Sequence, residues 1–109
     1  MSVGTLVTFH QSEPKTEYLP LATESDFHRC WLPLGKANSL YWFPLFAGGI
    51  SLTAGDIPAV IEEIVLMQKA IATASLASEV KNDMLNRAER LRLLLESLDL
   101  ENVEDVFIG

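Results

Sequence analysis

Two stretches of helical periodicity, separated by only a few residues, set the strongest limit on what this chain can build. Between residues 57 and 73, Ile57, Val60, Ile61, Ile64, Met67 and Ile71 fall on one side of a helix at about 100° per residue. Ala59, Leu66 and Ala70 form a second apolar strip almost opposite. Between residues 76 and 98, Val80, Met84, Ala88, Leu91, Leu94, Leu95 and Leu98 make another coherent face, with Leu85 and Leu93 well off it. So short a link predicts antiparallel neighbours. Such a pair still has an apolar side to bury and needs another layer against it. For the first helix the start is either Asp56 as cap with Pro58 in the first turn, or Thr53 paired with Asp56. Ser75 or Ser78 is the expected cap of the second.

The other layer must come mainly from the first half. Four of the five prolines, both tryptophans and four of the five phenylalanines precede Gly55. Val3 to His10 alternates as a half-buried strand does. A polar stretch from Gln11 to Thr16, containing Pro14, reads as a loop. Three segments then share the order aromatic, apolar, proline, leucine: Tyr18-Leu19-Pro20-Leu21, Trp31-Leu32-Pro33-Leu34 and Trp42-Phe43-Pro44-Leu45. Read as markers of successive strands, they place each proline at a strand end, an edge or a bulge, since proline cannot donate to a ladder. Ala47-Gly48-Gly49 reads as a hairpin turn between strands at Ser39 to Phe46 and Ile50 to Thr53. After an acidic connection, Val106-Phe107-Ile108-Gly109 reads as a final strand tucked into the sheet.

These elements predict an α+β fold: a mostly antiparallel sheet, made of an N-terminal meander plus a C-terminal strand, packed by an antiparallel pair of helices. One domain spans residues 1–109, β-rich over 1–54, a helical hairpin over 56–98 and a final strand over 104–109. At 49% hydrophobic and 21% charged the chain is far from a disordered composition. So apolar a small chain also suits a permanent partner or a homodimer.

Charge narrows the partners. Fifteen acids against eight bases give a net charge of −7. That surface repels phosphate backbones and anionic lipids, so neither nucleic acid nor membrane is expected, whereas a basic protein partner is suited to it. Acidic charge also serves solubility alone. Residues 1 to 10 lack a basic region followed by a long apolar run, and no stretch approaches the ~18 apolar residues of a span. A cytoplasmic protein is the expectation.

Chemistry finds little support in the residues. Cys30 is the only cysteine, and a strand over His28-Arg29-Cys30 would place His28 and Cys30 on one side, with His10 the only other histidine. No zinc-type spacing, nucleophile elbow or phosphate-cradling loop is present, so no metal, no cofactor and no catalytic residue are expected. A small enzyme using Cys30 and His28 is the remote alternative, and it requires those side chains to meet in one pocket. Glu62 and Glu63, adjacent on a helix, point in different directions and form no acid/base dyad. Arg87 projects near the middle of the second helix's apolar face, which predicts either snorkelling to water or a buried ion pair with an acid of the sheet, the neighbouring helix or a partner. Gln68 lies similarly on the first helix.

The features left over point to protein contact. Candidate interface residues are Trp31, Tyr41, Trp42, Leu66, Leu85 and Leu93, with Trp31 and Trp42 also readable as core. The run Trp42-Phe43-Pro44-Leu45-Phe46, then Ile50-Ser51-Leu52-Thr53, Asp56, Glu62-Glu63-Ile64 and the closing apolar strand ending in Gly109, resembles small bacterial immunity-type proteins over residues 39 to 109. That resemblance implies a compact α+β binder that neutralises a toxin by occluding it, and it assigns no individual residue a role. The expected function is therefore non-enzymatic protein binding, of immunity type or as a homodimeric structural or regulatory protein.

Overall fold

Val3, Thr5 and Val7 of β1 (Ser2–Phe9) are buried while Leu6 between them is exposed, the alternation their sequence predicts. In the computed structural model, which describes residues 2–10 and 16–109, β1 sits inside a four-stranded sheet with β2 (Thr16–Thr23), β3 (Ile50–Leu52) and β4 (Val103–Ile108). The order is β2-β1-β4-β3 and every pairing is antiparallel. Of the loop expected over residues 11–16, only Thr16 lies within the described residues, and it opens β2. The expected final strand is present as an inner strand, β4, whose end is fixed by reciprocal backbone hydrogen bonds between Gly4 and Gly109 at 3.2 and 3.1 Å.

The helical pair is α4 (Ile57–Thr73) and α5 (Ser78–Ser97). Lys81 donates to the Ala72 carbonyl and Gln68 to the Glu89 carboxylate. Partners that climb one helix while descending the other make the pair antiparallel. Ile57, Val60, Ile64, Met67 and Ile71 from α4 meet Met84, Ala88, Leu91 and Leu95 from α5 in one core with Val3, Val7, Leu21, Leu52, Val106 and Ile108 of the sheet. The Thr53–Asp56 pair forms on the 3-10 turn Ala54–Asp56 that leads into α4, the Thr53 amide and hydroxyl both donating to the Asp56 carboxylate at 2.9 Å. Asp56 also holds the position before α4, with Pro58 in the first turn, but its side chain caps no amide of α4. Neither expected serine caps α5, which follows Ala77 with no side-chain cap.

The middle of the chain corrects the expected meander. Only Tyr18–Leu21 of the three proline-bearing segments is strand. Trp31–Leu34 falls in a helical run made of α1 (Glu24–Asp26), a π turn (Phe27–Trp31) and α2 (Leu32–Ala37), and Trp42–Leu45 falls in α3 (Trp42–Phe46). The expected strand over Ser39–Phe46 and its hairpin turn are therefore replaced by α3 and a turn at Gly49, whose φ of 82° suits glycine. Pro44 fits α3 because it stands in the first turn, where its missing N–H has no helical acceptor in any case. Pro33, by contrast, lies inside a continuous helical run directly after the π turn, in which the Leu32 amide reaches back five residues to the Phe27 carbonyl.

What holds α3 in place comes from α4. The Glu63 side chain, on a residue only 6% exposed, accepts the backbone amides of Tyr41, Trp42 and Phe43, the last two at 2.7 and 3.0 Å. Those are the amides a helix leaves without partners at its start. Phe43 stacks on Trp31 with ring centres 6.0 Å apart and planes within 4°, and Phe46 leans on Phe43 at 5.1 Å. The turn of chain ahead of α3, with Ser39 at φ 57°, is thus tied to the core at both ends.

Candidate functional site

The helices cover one side of the sheet and leave an apolar row on the other. Cross-strand registration places Tyr18 opposite Leu6, Leu6 opposite Phe107, and Phe107 opposite Ser51. One row therefore runs through all four strands, with Tyr18 54% exposed and Leu6 and Phe107 each 38% exposed. At ~4.8 Å between strands, its three large side chains span about 10 Å.

Glycines shape the adjoining strip. A β-carbon at Gly4 would collide with the Tyr18 ring, and one at Gly49 or Gly109 with the Phe107 ring. Both aromatic rings thus lie over bare backbone, and Tyr18 is further held by a 3.1 Å hydrogen bond between its hydroxyl and that of Ser2. On the other side of the row, Thr8 stands opposite both Thr16 and Asp105. The exposed face thus reads, strip by strip, as bare glycine, then aromatic and leucine, then hydroxyl and carboxylate.

The electrostatics are one-sided. The four strands carry Glu17, Glu104 and Asp105 and no lysine or arginine. Asp99 and Glu101 precede β4. The ion pairs of the described residues are all within helices or helical turns: Arg29–Asp26, Arg87–Asp83, and Arg92 with Glu89 and Glu96. None neutralises the acids of the strands. Arg92 and Gln68 both donate to Glu89 and hold its carboxyl below its ordinary value of 4.5, while the two carboxylates push the Arg92 guanidinium up.

The residues singled out in the sequence do not form one surface. Trp31 is buried against Phe43 and is core rather than contact surface. Tyr41 is exposed and meets the half-buried Trp42 edge-on at 5.0 Å. Leu66, also exposed, borders Leu40 on that flank of α4. Leu93 lies elsewhere, beside Tyr18 and Leu19 in a groove of about 440 Å³ between β2 and α5. Leu85 is half-buried against the core. Arg87 is not buried: its guanidinium pairs with Asp83 one turn back at 2.9 Å and reaches across to the Leu21 carbonyl at 3.1 Å.

Cys30 and His28 sit in the π turn rather than on a strand. Cys30 lines a cleft of about 310 Å³ between that turn and α5, together with Trp31, Met84, Arg29 and Arg87. His28 is exposed, packs edge-on to Phe27 at 6.3 Å and does not line the cleft. Their side chains therefore do not meet in one pocket. Among the described residues no three His, Cys, Asp or Glu side chains gather as a metal site, and no helix is long and apolar enough to cross a membrane.

Sequence reasoning missed two features. The sequence places Leu6, Tyr18 and Phe107 each in a strand, but their alignment depends on the register of partners far apart in the chain. The alternation of β1 alone puts Leu6 opposite Val3, Thr5 and Val7, which was a usable signal. Glu63 falls on the apolar stripe of α4, three residues after Val60 and four before Met67, and an acid there signals a buried acceptor. No protein-family model, curated protein or solved structure matches this chain.

Proposed function

We propose that this chain is a protein-binding domain that engages a basic partner through the exposed face of its sheet. The row Tyr18–Leu6–Phe107 carries the reading. Its apolar centre is edged by hydroxyls and a carboxylate, the anatomy of a protein interface. Rings seated over glycine have little freedom left to lose on binding, which favours affinity. Asp105 lies on this face and no strand carries a base to offset it, which attracts a basic partner and speeds its approach at low salt. Occlusion of a toxin, implied by the immunity-type resemblance, is one form such binding takes.

Affinity capture with the wild type and with Leu6→Lys, at low and high salt, tests this. A partner that uses the row is retained by the wild type, falls away as salt rises, and binds the variant about 30-fold more weakly, as expected for losing a central contact. Equal retention by both proteins, or indifference to salt, refutes the reading. Circular dichroism on the variant separates lost binding from lost folding.

A further inference from the structure

A second surface lies on α4, away from the sheet. At helical spacing Ala59, Glu62, Leu66, Lys69 and Thr73 share a stripe, and all five are exposed. Leu66 stands at its middle, 52% exposed, beside a depression of about 260 Å³ bordered by Leu40 and Lys69. No ion pair among the described residues engages Glu62 or Lys69. The stripe is nearly symmetric in position and antisymmetric in charge. Ala59 and Thr73 each stand seven residues from Leu66, while Glu62 stands four before it and Lys69 three after it. Reversed end to end, such a stripe is complementary to itself.

We propose that a second copy of this chain docks here, the two α4 helices antiparallel about a two-fold axis through Leu66. Leu66 of each copy then packs against Leu66 of the other, next to Leu40. Small residues at both ends, Ala59 and Thr73, let the helices approach closely. Glu62 of each copy comes within one residue, about 1.5 Å along the axis, of being level with Lys69 of the other, an offset both side chains span easily. By symmetry the pair forms twice, as an isologous interface requires. The sheet face takes no part, so the dimer presents two copies of it.

Sedimentation equilibrium over a range of protein concentration tests the proposal. The wild type should approach twice its 12.1 kDa chain mass. Glu62→Lys and Lys69→Glu each turn two attractions into two repulsions and should weaken the dimer about tenfold. An equimolar mixture of the two variants should recover it, because every cross-pair is then opposite in charge. Both positions are exposed, and circular dichroism verifies that the variants fold. A wild type that stays at single-chain mass, a dimer indifferent to both charge reversals, or a mixture that fails to recover overturns the proposal. Leu6→Lys should leave this dimer intact, so its fate and that of the sheet face are read separately.

Discussion

Replacing Glu63 tests whether one buried carboxylate fixes the conformation of the chain 20 residues before it. In Glu63→Ala three amide donors lose their acceptor. A hydrogen bond to a charged group is worth ~1.5–3 kcal/mol, and a buried donor left without a partner costs a similar amount. Tyr41 is exposed, so water can take over at its amide. Phe43 is fully buried and Trp42 half-buried, so their amides have no such substitute. Two amides at this rate give a loss of ~3–6 kcal/mol, against ~5–15 kcal/mol for a whole domain. Glu63→Gln keeps one oxygen but turns an NH₂ donor toward donors. Because one carboxylate oxygen serves Tyr41 and the other serves Trp42 and Phe43, the amide cannot serve all three and should lose about half as much. Urea unfolding followed by tryptophan fluorescence reads both, with the Glu63→Ala midpoint lower by on the order of 2 M at unchanged slope. A Glu63→Ala loss below ~1 kcal/mol, or a Glu63→Gln variant within ~0.5 kcal/mol of the wild type, would refute the idea that the carboxylate holds α3.

Two further substitutions probe the core and the acid limb. Thr5 is buried with its hydroxyl unpartnered among the described residues, so Thr5→Val, of nearly the same shape, should raise unfolding stability by ~1 kcal/mol; a decrease contradicts the assignment. Glu89 is held below 4.5 chiefly by Arg92, with Gln68 second, so its ionised form is favoured in the folded state. Its contribution is therefore fully present above 4.5 and is lost as pH falls through the lower folded value. Thermal unfolding at about pH 6 and about pH 3 should show a smaller acid-side loss for Glu89→Gln than for the wild type, and equal losses would show that this carboxylate contributes nothing.

Much of the fold was legible from periodicity. The apolar stripe of α4 gave its extent over 57–73, and the alternation of β1 and the apolar run of β4 gave their strands. The three proline segments are not separable locally, because the same order of residues fits a strand in Tyr18–Leu21, the inside of a helical run in Trp31–Leu34 and a first helical turn in Trp42–Leu45. Proline is excluded from a ladder and tolerated at a helix start, so its presence does not decide between them. For α3 the deciding partner, Glu63, lies 20 residues further along. The sequence points to aromatics near acids as a contact surface, but Trp31 stacks on Phe43 in the core and the exposed apolar row of the sheet is Leu6, Tyr18 and Phe107. That choice follows from strand register, which only the assembled sheet fixes.

The position of β4 between β1 and β3 governs how the protein can assemble. The helical hairpin and the β1–β2 pair join segments close in sequence and can form early. Thr5 faces Ile108, however, so joining β1 to β4 closes a loop of roughly a hundred residues and must await the chain between them. The three-residue β3 is bound to the sheet only through β4. Its pairing closes a shorter loop, made largely of the helical hairpin, and does not need β1 in place. Folding should thus divide into fast local steps and one slow topological step, with the row across the sheet existing only once the slow step is complete.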